Sequence, residues 1–127
     1  MTDRSRPAYV FRVRFRLEPA ETGLRADPAS FETTLYRRVD PPGEPGWLFF
    51  RDNLWHGDLS DPDHFRTVTA EALGVPVEEV SFSELRIDPD ALAELKAAIG
   101  EDLPAFNADS VSEALSKYLG SSIHVVD

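Results

Sequence analysis

Between Tyr9 and Leu17 the chain alternates: Tyr9, Phe11, Val13, Phe15 and Leu17 fall on one side, and Val10, Arg12, Arg14 and Arg16 on the other. A two-residue repeat predicts a half-buried strand, because successive side chains of a strand point to opposite faces. The stretch from Glu18 to Ser30 is rich in proline, glycine and small polar residues and reads as a loop. Phe31 to Val39 is rich in aromatic and β-branched residues and predicts a second strand, with Phe31, Thr33 and Leu35 on one face. A proline-glycine cluster, Asp40 to Gly46, turns the chain, and the apolar run "WLFFR" (Trp47 to Arg51) reads as a short third strand. The second and third strands would form a hairpin, giving an antiparallel meander.

From Asp61 the period changes. Phe65, Val68, Ala72 and Leu73 recur at helical spacing, Asp61 and Pro62 supply a cap and a first position, and Gly74 with Pro76 supplies the stop. Val80 to Ile87 reads as a fourth strand with weak alternation. Asp88 and Pro89 open a second helix whose Leu92, Leu95 and Ile99 face the core, ending before Pro104. A third helix carries Val111, Ala114, Leu115, Tyr118 and Leu119, opened by the capping-box pair Ser110 and Glu113 and closed by Gly120. "SSIHVV" reads as a last strand.

Strands followed by helices, with little βαβ alternation, predict an α+β fold: an antiparallel sheet with helices over one face. At 127 residues the chain fits one domain over 1–127, with residues 1–8 as a flexible arm. Neither an internal repeat nor a low-complexity segment interrupts it.

Charge changes the picture of the solvent. The formal net charge is −10, and eleven of the thirteen cations are arginines, with lysine at Lys96 and Lys117. Self-repulsion of this size is costly in dilute buffer, but in molar salt the Debye length falls to about 3 Å. The weakly hydrated guanidinium keeps planar, bidentate pairing where an ammonium is better solvated. The composition therefore predicts salt adaptation. Residues 1–51 carry nine arginines against seven carboxylates, while residues 52–127 carry four cations against sixteen carboxylates. An acidic protein repels nucleic acid, and phosphate contacts weaken steeply with salt, so no nucleic-acid partner is expected. No apolar run is long enough to span a membrane or to serve as a signal peptide, because arginines interrupt the N-terminal strand. The absence of cysteine removes disulfides, thiolate metal sites and thiol nucleophiles. A cytoplasmic location is expected.

The densest chemistry lies in "NLWHGDLSDPDHF", residues 53–65. His56, Asp58, Asp61 and His64 have the atoms for a divalent metal, but the histidines lie eight apart rather than i, i+4 on a helix, and the stretch lacks the repeated ligands of a calcium loop. Helix capping by Asp61, with Pro62 first and Asp63 in the first turn, explains more residues, and "DPD" recurs at Asp88 to Asp90. Trp55 is expected in the core, where most tryptophans bury most of their surface; the alternative is an exposed anchor for a partner. Arg12, Arg14 and Arg16 rise in steps of about 6.6 Å along one strand face, a spacing that could grip anionic groups, yet pairing with carboxylates such as Glu32 is the easier fate. Ser121, Ser122 and His124 sit together without a nucleophile elbow, and no phosphate loop, HExxH or dinucleotide fingerprint occurs. No catalytic residue and no cofactor is expected.

"YVFRVRF", "FRDNLWHGDLSD", "ALGVP", "FNADSV" and "KYLGSSIHV" together make the chain resemble the haloarchaeal LWR-salt proteins along nearly its full length. The family takes its name from a Leu-Trp-Arg motif; here His56 follows Leu54 and Trp55, and histidine does not supply arginine's permanent charge or bidentate fork. The resemblance implies a halophile source and carries over no catalytic residue.

The resulting expectation is a non-enzymatic binding or accessory module with a protein partner, contacting it through Leu54, Trp55 and His56 or through the arginine row. The alternatives are a small metal-dependent or hydrolytic enzyme using His56, Asp58, Asp61 and His64, and a structural homo-oligomer. The charge balance itself predicts that the chain melts higher in several molar KCl than at low ionic strength, by about 4 °C or more, the shift that roughly 1 kcal/mol produces in a domain of this size. Equal melting temperatures in the two solvents would remove the argument from salt.

Overall fold

The structure, a computed structural model, describes residues 7–17 and 23–126. Its elements in chain order are β1 (Ala8–Arg16), β2 (Ser30–Arg38), α1 (Phe49–Asn53), β3 (Leu54–Trp55), β4 (Asp58–Leu59), α2 (Pro62–Leu73), β5 (Val77–Ile87), α3 (Pro89–Glu101), a 3₁₀ turn (Leu103–Phe106), α4 (Val111–Leu119) and β6 (Ile123–Val125). Four strands form one mixed, mostly antiparallel sheet in the order β2-β1-β5-β6, with β6 parallel to β5, and β3 and β4 form a separate two-stranded hairpin. The fold is α+β.

The alternating first strand lies between β2 and β5, where its two faces meet two environments. Tyr9, Phe11 and Val13 are buried with Val77, Val80, Phe82, Leu85 and Ile87 of β5, while Arg12, Arg14 and Arg16 lie exposed on the opposite face. Two register shifts against β1, one at Ser83 and one at Glu78, let the apolar residues of β5 share a face despite their uneven spacing. Such bulges add a residue without flipping the strand, which explains the weak alternation of the segment. The expected arm at residues 1–8 lies outside the described residues as far as residue 6; Ala8 opens β1, and Pro7 O just before it accepts from Val39 N at 3.1 Å.

Trp47 to Arg51 is no strand, and with it the expected three-strand meander is lost: Phe49–Asn53 is a single helical turn. Phe49 and Phe50 are both buried, which a two-sided strand covered on one face cannot arrange. About 100° of helical rotation separates them, so they diverge on the buried side. Phe49 meets the sheet, its ring 4.6 Å from Tyr9 and 5.9 Å from Phe65. Phe50 meets the C-terminal helices, stacked on Phe106 at 5.7 Å with Tyr118 edge-on at 6.1 Å. Deep in this core, burial pushes the Tyr9 phenol well above its ordinary range, outweighing the hydrogen bond to the Phe50 backbone and the nearby Arg37 guanidinium.

The helices start and stop where their caps dictate. Asp61 accepts from His64 N at 3.1 Å, Asp88 from Ala91 N at 2.7 Å and Ser110 from Glu113 N at 3.1 Å, satisfying first-turn donors that have no partner within the helix. Gly74 ends α2 in the left-handed conformation. The face of α2 differs from the expected one. Phe65 is held between Phe11 and Phe49, each at 5.9 Å. Its i+4 neighbour Thr69 therefore turns inward, and Val68 and Leu73 are left 44% and 37% exposed. α3 and α4 bury Leu95, Ile99, Ala114, Leu115 and Leu119, as their spacing required, and the 3₁₀ turn buries Phe106 between them. Among the described residues, no helix is long and apolar enough to cross a membrane.

Because Phe50 is buried and anchors α1 on Phe106 and Tyr118, Phe50→Ala is expected to cost about 3–5 kcal/mol in denaturant unfolding, the range for emptying a buried phenylalanine site. Val68→Ala, on the exposed side of α2, should change stability by under about 0.5 kcal/mol.

Candidate functional site

The densest stretch of the sequence folds as a two-residue hairpin. Leu54 pairs with Leu59 and Trp55 with Asp58, and the turn between them is His56 and Gly57 with φ of 53° and 84°. Two positive φ values are what the commonest two-residue hairpin loop requires; glycine takes them freely and histidine more readily than most residues. Leu54 and Leu59 point down into the core while Trp55 and Asp58 point out.

Backbone hydrogen bonds fasten the hairpin to the end of α4. An α-helix leaves its last four carbonyls without partners inside the helix. Here Ser116 O accepts from Gly120 N at 3.0 Å, Lys117 O from His56 N at 2.8 Å, Tyr118 O from Gly57 N at 3.0 Å, and Leu119 O from Ser122 N at 3.0 Å and from the Ser122 hydroxyl. Every one of the four is satisfied, two of them by the hairpin turn. The approach is close enough to demand glycine on both sides: a Cβ on Gly120 would stand 2.9 Å from His56 O, and one on Gly57 would stand 3.0 Å from Leu119 O.

Trp55 is 48% exposed, which overturns the expectation that it plugs the core. Leu54, 1% exposed, occupies that place instead. The indole is nonetheless held. His56 lies edge-on at 4.7 Å, Tyr118 edge-on at 6.0 Å, and the Lys117 ammonium is 5.8 Å from the ring centre. Lys117 is itself fixed by donating to Asn107 O at 2.8 Å, and the buried Tyr118 hydroxyl donates to Phe106 O at 3.1 Å. A cation at this distance contributes about 0.5–1 kcal/mol at an exposed site, enough to bias the ring orientation. The result is a rigid, half-exposed tryptophan beside one cation and one histidine. Lys117 and Tyr118 escaped the sequence reading of the site, because the contact joins residues more than sixty positions apart.

The other candidates separate. Asp61 is spent on capping α2, and His64 leans edge-on against Phe65 at 6.2 Å. Among the described residues no group of three or more His, Asp or Glu side chains is placed to hold a metal ion, so His56, Asp58, Asp61 and His64 are not assembled into one site. The Ser122 hydroxyl is committed to Leu119 O and not to His124. On the sheet, Arg14 lies between Glu32 at 3.3 Å and Glu79 at 3.5 Å, its register partners on both neighbouring strands, and Arg16 lies 3.7 Å from Glu78. Pairing within the chain is therefore the fate of these two arginines. Arg12 faces Thr34 and Ser81.

The hairpin contact makes a graded prediction. Gly120→Ala is expected to destabilise by at least about 2–3 kcal/mol, since it adds backbone strain to a clash with a fixed carbonyl. Gly74→Ala has a positive φ and open space around it, so it should cost only the roughly 1–2 kcal/mol of the left-handed conformation. Equal losses in chemical denaturation would mean that the hairpin is not pressed against α4.

The sequence profile of the LWR-salt protein family matches residues 5–127. No curated protein and no solved structure matches the chain.

Proposed function

The chain belongs to the LWR-salt protein family, and from that premise we propose that it works as a non-enzymatic protein-binding module, one α+β domain acting in a salt-rich cytoplasm, with the Trp55 hairpin as its contact surface. One observation carries the reading. The largest side chain of the stretch stands half in solvent while the turn that follows it is hydrogen-bonded to α4. Large aromatic side chains dominate binding energy at interfaces, and a ring that is already oriented loses little freedom on association. His56 and Lys117 add polar contacts at the rim of the same patch.

The acidic surface fits this reading. Repulsion between an acidic module and an acidic partner weakens as salt screens it, whereas contact through an indole does not depend on charge. The arginine face is the weaker candidate surface, because Arg14 and Arg16 already have carboxylate partners.

The test is affinity capture from native lysate in molar KCl, comparing the unaltered chain with Trp55→Ala and with Val125→Ala. Val125 is an exposed apolar residue on β6. A specific partner retained by the unaltered chain and by Val125→Ala, and weakened about 30-fold by Trp55→Ala, is the expected result, equivalent to ~2 kcal/mol at a hot spot. Recovery of the chain alone at every salt concentration, or capture indifferent to Trp55→Ala, would overturn the proposal.

A further inference from the structure

β2 is an edge strand nine residues long, and among the described residues nothing pairs with its outer side. Leu17 N donates to Ala29 O at 2.8 Å and Val39 N to Pro7 O at 3.1 Å, in the same antiparallel ladder as the rest of β1 and β2. Antiparallel pairs alternate in which edge their N–H and C=O groups address. The odd positions of β2 therefore spend their backbone groups on β1, and Ser30, Glu32, Thr34, Tyr36 and Arg38 direct theirs outward. Long edges are normally blunted by proline, lysine, inward-pointing charges, bulges or brevity. β2 has no proline, no lysine and an unbroken register, and its helix-side charge, Arg37, is laid over the Phe49 ring. The opposite edge, β6, has three residues.

The strand is complementary to itself. In an antiparallel pairing with a second copy, with Leu35 opposite its own symmetry mate, the outward groups of Glu32 meet those of Arg38 and the outward groups of Thr34 meet those of Tyr36. On the outer face this register sets Glu32 against Arg38 twice, and Tyr36 against Thr34 twice. On the helix-side face it sets Leu35 against Leu35 and Phe31 against Val39. Centring on Thr34 instead places Phe31 opposite Arg37 and Glu32 opposite Tyr36. Centring on Tyr36 sets Glu32 against Asp40 and Leu35 against Arg37. Of these three, only the Leu35-centred register sets opposite charges together and apolar residues together, the cross-strand pairings that stabilise a sheet. Glu32 and Arg38 already pair within the chain, with Arg14 at 3.3 Å and Glu44 at 3.2 Å, yet their side chains stay 73% and 64% exposed, so contact across the axis would extend these pairs into a network.

A second feature lies under the same edge. α2 does not cover β2, and between them runs an open groove of about 290 Å³ whose lining includes Phe11, Leu35, Arg37, Phe65, Val68 and Ala72. Leu35 of a second copy would border it from the sheet edge, with Thr33 beside Arg37. We propose that this chain forms a symmetric homodimer through β2, joining two four-stranded sheets into one continuous sheet in the register centred on Leu35. The strongly negative charge of each copy opposes association at low ionic strength, so the dimer tightens as salt rises.

Sedimentation in molar KCl tests the proposal, with three alterations that separate it from simple misfolding. Thr34→Pro removes an outward N–H and no bond to β1, so it should yield a monomer with unchanged far-UV circular dichroism. Glu32→Arg should weaken the dimer about tenfold by setting like charges together, and adding Arg38→Glu should restore it. The chain has no cysteine, so Leu35→Cys introduces a single thiol that meets its own mate across the axis and oxidises to a covalent dimer. Thr33→Cys, opposite Arg37, should not. A monomer at every salt and protein concentration would overturn the proposal, as would a dimer that Leu35→Cys cannot cross-link. If Thr34→Pro fails to fold, the cysteine pair alone decides.

Discussion

The last turn of α4 needs donors for its carbonyls, and much of the molecule is arranged around supplying them. Two come from the His56-Gly57 turn, which brings a hairpin forty residues after β1 into contact with a helix near the end of the chain. Once that contact is made, Leu54 and Leu59 have to face the core and Trp55 and Asp58 have to face away, since a two-residue hairpin allows no other division. The exposure of the tryptophan is thus the geometric outcome of a backbone hydrogen-bonding problem. Glycine at 57 and 120 belongs to the same constraint, because two main chains meet there at carbonyl distance.

α1 does for the two layers of the core what the hairpin does for the helix end. Its adjacent phenylalanines reach in different directions, one among Tyr9, Phe11 and Phe65, the other among Phe106 and Tyr118. Arg37 closes the first group from outside, its guanidinium 4.4 Å above the Phe49 ring. Ion pairing is concentrated on the sheet's outer face and its neighbouring loops, where arginine alternates with glutamate across strands. Packing binds the sheet to the helices, and charge organises the side that faces solvent.

Features decided by local chemistry were legible in the chain itself. Strict alternation located β1 and its arginine face, and Asp61, Asp88 and Ser110 located three helix starts, because a cap and its donor lie three residues apart. The misread parts depend on distant partners. "WLFFR" carries no period long enough to separate a strand from a buried turn of helix, and its helical form is fixed by aromatic rings on other elements, Tyr9 and Phe65 around Phe49 and Phe106 and Tyr118 around Phe50. Phe106 gave no periodic signal from within a four-residue 3₁₀ turn. Tryptophan's usual burial points Trp55 inward, and "HG" is too weak a turn signal to overrule it, because the residues favoured before glycine in a two-residue hairpin loop are asparagine, aspartate and glycine. Net charge and its distribution along the chain rest on surface composition, which folding geometry leaves largely free.

Position 56 contributes to this scaffold chiefly through its amide and carbonyl, while its imidazole rests against the edge of a solvent-facing ring. What the fold asks of that side chain is tolerance of a left-handed backbone, with φ of 53°. Beyond that demand the imidazole stands clear of the core, so the chemistry it presents to solvent is set apart from the packing that holds the frame together.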